Sequence, residues 1–471
     1  MDYARDVWAA ALIGLILAAG AAPARAAETD NQNEDQVVSL VIGLLGEKDK
    51  DLRAVGLEQV RTEAKGKAAT ERFAAQLPKL SADAQVSLVS ALADRKDAAA
   101  LPAVLELLAK SPTEAVRIAA IGAVGSLGGK DELPGLLTPL ESHSKEESSA
   151  ARAAILQLKG DDVPQAIAAT LANRALKRRP ALIQILATRR ALHAVPELLG
   201  AALDPARDVR QAAMLALGQM ATEKDLPALL AAVLRAEPGA EREAAEKAVV
   251  LVCGRITPAD QRDRPLLAAV AMRNAQEQAT LLSTIGRVGG PQALAHLEKR
   301  IDGSDRALRG EALHALCEWP DASICDKLLA MVEKSRDPAE RSQLLQAFVR
   351  CGGIRDKRTD PQRLERMQQA MPLAESKADR LAVISRCRTA YTVGALRFAL
   401  PYLDQPEFAQ QACETIVELA HHRELREPNK AEFDPALDKV IKISKDATII
   451  DRAQRYKKGQ TWVRPKPPEA S

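Results

Sequence analysis

Apolar and polar positions along this chain follow the period of a helix, and the pattern itself recurs about every 31 residues. The stretch from Asp208 to Gly218 and the stretch from Ala115 to Gly125 share one layout. A cation, Arg210 or Arg117, is followed by small apolar residues two and three positions later and by apolar residues again at six and seven. Those offsets trace one face of a helix. Followed along the chain, the layout is anchored at Arg53, Gln85, Arg117, Arg152, Arg179, Arg210, Arg242, Gln278, Arg309, Arg341, Arg380 and Gln410. A second marker runs in parallel: Leu101-Pro102, Leu133-Pro134, Val163-Pro164, Val195-Pro196 and Leu226-Pro227. Proline is tolerated in the first turn of a helix, where its missing N–H has no partner to lose. The two markers together predict two helices per unit, one opening near the proline and one near the anchor.

A pair of helices this short cannot bury its apolar face alone, so successive pairs must stack. The Asp-Val-Arg opening of the second helix at Asp208, the Ala-Ala after it and the Leu-Gly at its end resemble HEAT repeats. They are most similar to the short HEAT-like variety also seen in phycobilin-lyase subunits and to exported bacterial members. The resemblance covers roughly residues 36–458. It implies an all-α fold, a right-handed α-solenoid of about twelve to thirteen stacked helix pairs. It also implies that Arg117, Arg210, Arg242, Arg309, Arg341 and Arg380 are structural anchors. Asp208 is expected to bridge to Arg210 and so to tie neighbouring units. Longer insertions fall between Arg341 and Arg380, where Gly352-Gly353 breaks the pattern, and again at 423–433; insertions in such stacks map to one face. Two last helices follow Phe433, and the polar side chains of the second, Asp451 and Arg452 among them, suit a terminal cap.

Composition agrees with helix packing. Apolar residues make up 47% of the 471, but aromatics only 3%, so Ala, Leu, Val and Ile supply the core. A net charge of +3 argues against a dedicated nucleic-acid binder. The basic clusters Lys177-Arg178-Arg179 and Arg189-Arg190 read as solvated helix surface. The apolar run from Val7 to Ala22, the break at Pro23 and Ala24-Arg25-Ala26 read as a secretory signal over 1–26, cleaved after Ala26; an uncleaved anchor is the rival, although the run falls short of a span of about 20 residues. A linker over 27–35 and a disordered basic, Pro-rich tail over 459–471 flank the repeats. No later segment is apolar enough to span a membrane. The expected location is the periplasm or the exterior. Six cysteines in an exported chain permit disulfides, with Cys317 and Cys325 the nearest local pair; small buried helix residues are the plainer reading.

Chemistry is hard to find. The six histidines, His143, His193, His296, His314, His421 and His422, show no i, i+4 metal spacing. Deoxyhypusine hydroxylase, an iron enzyme built of HEAT repeats, uses His-Glu pairs, and this chain has no His-Glu dipeptide. Nucleophile-elbow, phosphate-loop and haem-attachment motifs are missing too. Gly286, Gly289 and Gly290 read as helix-end glycines. Neither a cofactor nor a metal is expected.

Second helices line the concave wall of a solenoid, and the fifth position after each anchor should face outward. It holds Glu58, Ser90, Gln157, Gln184, Lys247, Ser283, His314, Gln346, Ser385 and Thr415. This polar, mostly uncharged row suits a hydrogen-bonding groove for an extended partner, although exposure alone explains polar residues. The expectation is a non-catalytic exported scaffold for an unidentified protein or peptide. The alternative is an accessory or lyase-like subunit holding a small molecule or a modified protein.

Overall fold

The computed structural model describes residues 35–463. The expected signal at 1–26, all but the last residue of the 27–35 linker and residues 464–471 of the tail lie outside them. Among the described residues every regular element is a helix. The chain divides into two units, one holding residues up to 221 together with Arg235–Ala248, the other holding Thr222–Leu234 and the residues from 249 onward.

Within the first unit, helix pairs succeed one another in chain order. Leu101–Lys110 is followed by Glu114–Leu127, Leu133–Leu140 by Lys145–Gln157, Val163–Thr170 by Arg179–Thr188 and Val195–Ala201 by Arg207–Met220. The first helix of each of these pairs carries its proline in the opening turn. The second unit repeats the scheme, with Pro291–Ile301 before Arg306–Cys317, Cys325–Lys334 before Pro338–Gly352 and Asp360–Ala370 before Lys377–Arg386. Several second helices open on a side-chain cap: Asp305 accepts from the N–H groups of Ala307 and Leu308, Asp337 from Ala339 and Glu340, and Ser376 from Asp379. The fold is an α-solenoid of stacked pairs.

The buried face of the second helices differs in one position from the expected one. Offsets three, six and seven after the anchor are buried, as at Ala213, Ala216 and Leu217. Offset four is buried as well, at Ile121, Met214, Leu313, Leu345 and Ile384. Offset two is instead more exposed in most units, as at Ala119, Glu311, Gln343 and Ala382. The second helices lie between their own first helix and the next second helix, so the buried stripe is wide and shifted by half a turn.

Two glycines set how closely those helices approach. A Cβ on Gly125 would lie 2.4 Å from the Cα of Ala154, and one on Gly286 would lie 2.0 Å from the carbonyl oxygen of Ala315. Gly286 is therefore a close-approach residue inside Leu282–Val288, not a helix-end glycine. Gly289 and Gly290, with φ of 65° and 116°, do end that helix in conformations that favour glycine.

At the C-terminal end, Lys430–Ile443 and Ala447–Lys457 form the last pair. Arg452 is not a solvated cap residue: it is 8% exposed, bonds Glu418 at 2.6 Å and lies against the rings of Tyr456 and Trp462. All six cysteines are free, and Cys317 and Cys325 are not bridged. Burial pushes the thiols of Cys253 and Cys317 up to about 12 and those of Cys351 and Cys413 up to about 11.

A pair of glycine substitutions separates close packing from helix propensity. Gly286→Ala should destabilise by about 1–3 kcal/mol, because the backbone of Ala315 cannot move aside. Gly310→Ala, inside Arg306–Cys317 with open space around it, should stabilise by about 0.5–1 kcal/mol. Chemical denaturation of the two variants, compared with the parent, checks both signs.

Candidate binding groove on the second helices

The anchors are joints, and their geometry shows why an arginine is wanted. Arg117 donates to the carbonyls of Ser111 and Pro112, Arg210 to those of Asp204 and Pro205, and Arg53 to those of Glu47 and Lys48. Each guanidinium thus closes the turn five and six residues before it. Arg242 and Arg380 each close theirs with one bond, to Ala236 and Ala374. A planar fork with five donors has N–H groups left over. Arg117 spends them on Glu147 at 2.6 Å, Arg210 on Glu241 at 2.7 Å, Arg309 on Glu340 at 2.8 and 3.2 Å, and Arg341 on Glu375 at 3.0 Å. Glu147, Glu241 and Glu340 sit in the first turn of the next second helix and Glu375 just before the cap of Lys377–Arg386, where the helix dipole favours negative charge.

The expected Asp208–Arg210 bridge does not form. Asp208 is exposed and accepts the N–H of Val209, since side chains two apart on a helix diverge. The carboxylate comes from Glu241, thirty-one residues later. Several basic residues first read as solvated turn out to be structural too. Arg179 is buried with Asp204 at 2.6 Å, and Arg189 donates to the carbonyls of Ile155, Leu156 and Leu158. Arg95 and Arg350 do the same for the second helix before theirs, Arg350 reaching Cys317 and Trp319 at 2.8 and 2.7 Å. This second column of arginines, nine or ten residues after the anchor, was legible in the spacing of Arg95, Arg189, Arg287 and Arg350.

Within the second unit, a cavity of about 770 Å³ opens across four successive second helices. Three members of the expected row, His314, Gln346 and Ser385, line it. Ser283 reaches it through Glu318, to which its hydroxyl donates at 3.2 Å. Gln343 and Ala382, at offset two, and Arg287, Glu318 and Arg350, at offset nine, complete the wall. Offsets two, five and nine form one helical stripe, so the groove is the exposed face of the repeat itself. Gln157, Gln184 and Lys247 are exposed on second helices of the first unit and do not line it. Thr415 leaves the row altogether: it is buried, with its hydroxyl donating to the carbonyl of Ile384 at 3.0 Å.

The groove is cationic. Arg287 pairs with Glu318 at 2.5 Å, which leaves Arg350, Arg386 and Arg388 without a carboxylate partner among the described residues. Gln346 bonds the buried carboxylate of Asp379 at 3.1 Å, and His314 faces Gln343 at 3.2 Å. The thiol of Cys317, also in the wall, is held protonated by burial at neutral pH. Among the described residues no three His, Cys, Asp or Glu side chains gather as a metal site, and no helix is long and apolar enough to cross a membrane.

Residues 70–159, which hold the pairs Leu101–Lys110 with Glu114–Leu127 and Leu133–Leu140 with Lys145–Gln157, match the family model for HEAT repeats. Those residues carry HEAT repeats, and helix pairs of the same layout lie on either side of them. No curated protein matches it. Among solved structures, the chain is similar to Kap121p at 11% identity and a TM-score of 0.44, over 95% of this chain and 56% of that one. Yeast importin-beta (Kap95p) follows at 10% identity and 0.41, over 90% and 66%, and human deoxyhypusine hydroxylase at 18% and 0.26, over 62% and 98%. The chain thus spans little more than half of Kap121p, and none of these likenesses bears on what it binds.

The Arg210–Glu241 joint yields a test with a definite sign. Both side chains are buried, and the hydrogen bond from Arg210 holds the Glu241 carboxyl below its ordinary value of 4.5. A carboxyl depressed in the folded state stabilises above its unfolded value, and that contribution is lost as pH falls through the folded one. Melting temperature should fall as pH drops below about 4.5. Glu241→Gln should melt lower at pH 7, by about 3–5 kcal/mol for a buried charge left unpaired, and should decline less steeply in acid.

Proposed function

We propose that this HEAT-repeat chain is a non-catalytic scaffold that holds a protein or peptide partner in the groove of its second unit. The observation that carries this reading is the groove itself, about 770 Å³ across four successive second helices and lined by the row His314, Gln346 and Ser385. Its length along the repeat and its wall of amides, hydroxyls and guanidinium groups suit an extended polypeptide, which offers a carbonyl and an N–H at every residue. Small-molecule sites are mostly apolar pockets that bury their ligand. The arginine-lined groove favours a polypeptide over the small molecule of a lyase-like accessory subunit. The signal read in residues 1–26 supports a scaffold that works in the periplasm or outside the cell, with no membrane span after cleavage.

A photo-crosslinking amino acid at Gln346 or Ser385 tests this in the living source cell. The groove positions should give one discrete protein adduct, whereas the same probe at Lys334 or Glu365, exposed on first helices, should not. The adduct partner, purified and added back, should bind the intact chain and be displaced by its own crosslinked segment. Adducts of equal yield from both faces, or from neither, would remove the groove from the scaffold's function.

A further inference from the structure

The sixth position after the anchor is a packing position in this fold. Ala91, Ala123, Ala216, Ala248, Ala315 and Ala347 occupy it in six repeats, and all are buried. After Arg380 the same position holds Arg386. Its side chain is half-buried, and no hydrogen bond or ion pair to its guanidinium is found among the described residues. Leaving such a group out of water with no partner is unfavourable, and the repeat offers alanine as the standing alternative.

The surroundings accommodate this arginine without neutralising it. Gly353, one of the pair that interrupts the repeat pattern, lies so close that a Cβ there would come within 2.2 Å of Cδ of Arg386. The missing side chain makes the channel through which the arginine stem reaches the groove. Around it stand Arg350 and Arg388, and Arg388 is exposed and makes no ion pair among the described residues. Burial, and then the charges of Arg388 and Arg350, lower the Arg386 pKa from its ordinary value. Glu318, the acid in the groove wall, is taken by Arg287. Three guanidinium groups therefore face one space, with amides of Gln343 and Gln346 beside them.

We propose that Arg386, with Arg388 and Arg350, is the anion-receiving centre of the groove, and that the partner segment it takes is an acidic peptide with clustered Asp or Glu carboxylates. This rests on the scaffold reading and specifies its partner. Carboxylates match the guanidinium fork with two parallel bonds, and an extended chain fills the rest of a groove four helices long. Arg386 belongs to the ligand and not to the fold, which is why a packing position holds a charge.

Fluorescence anisotropy on the full chain, with fluorescein-labelled oligoglutamate as probe and oligoglutamine and oligolysine as controls, tests the assignment. Oligoglutamate should bind saturably, more weakly as salt rises, and the controls should not. Arg386→Ala with Arg388→Ala should weaken it at least about tenfold. Arg386→Ala alone installs the alanine that six other repeats carry there, so its melting temperature should match or exceed the parent's. A marked drop in melting temperature would make Arg386 a structural residue and overturn the proposal. So would failure of oligoglutamate to saturate, unchanged affinity in the double variant, or tighter binding of inorganic pyrophosphate or an oligonucleotide at the same residues. Discrete crosslinks from Ser385 combined with no oligoglutamate binding would keep the scaffold and discard the acidic partner.

Discussion

In two repeats a single arginine, Arg117 or Arg210, performs both of two tasks that other repeats share out between side chains. Its guanidinium satisfies the carbonyls of the turn that leads into its own helix, and the N–H groups it has left engage a glutamate of the next repeat. Turns between helices hold backbone groups without helical partners, and burying them bare would be unfavourable. One side chain therefore makes the local loop rigid and sets its distance from the next. Apolar burial drives the helices together, but it has no direction. The arginine joint supplies the direction, and the exposed stripe that becomes the groove inherits its regularity from it.

Much of this was legible in the amino-acid order. The proline and arginine markers locate both helices of each pair because both mark features of the local chain, a first turn without a needed N–H and a turn that wants a cation. What the order concealed depends on distances between repeats. The partner of Arg210 could not be read from its neighbours, because Glu241 is adjacent only after stacking. The shift of the buried face from offset two to offset four has the same origin, since a second helix packs against two neighbours and not one. Thr415 looks like its counterparts in the row but is covered, its hydroxyl taken by the carbonyl of Ile384 in the second helix before it, a contact that exists only after stacking. Of the groove, the offset-five row and the offset-nine Arg287 and Arg350 were legible; Arg386 and Arg388 were not, because they fall outside the stripe that the other repeats follow.

The interruption at Gly352-Gly353 shows how a repetitive fold can host an exception. An arginine at a packing position of an ideal repeat would collide with the preceding helix end. The glycine removes the collision on one side, and the short turn after Lys377–Arg386 brings Arg388 round to the same side. A local break in the pattern and a local concentration of charge are thus one structural event.

The state of the cysteines has a consequence for where such a chain can work. Thiol–disulfide exchange proceeds through the thiolate, and groups pushed to about 11 or 12 present almost none of it at neutral pH. An oxidant in the surroundings finds little to attack while the helices stay stacked, and the fold draws no stability from cross-links that a reductant would cut. The solenoid is in this sense indifferent to redox poise, held by packing and by guanidinium joints alone, and it can be made and used on either side of a membrane without a change of architecture.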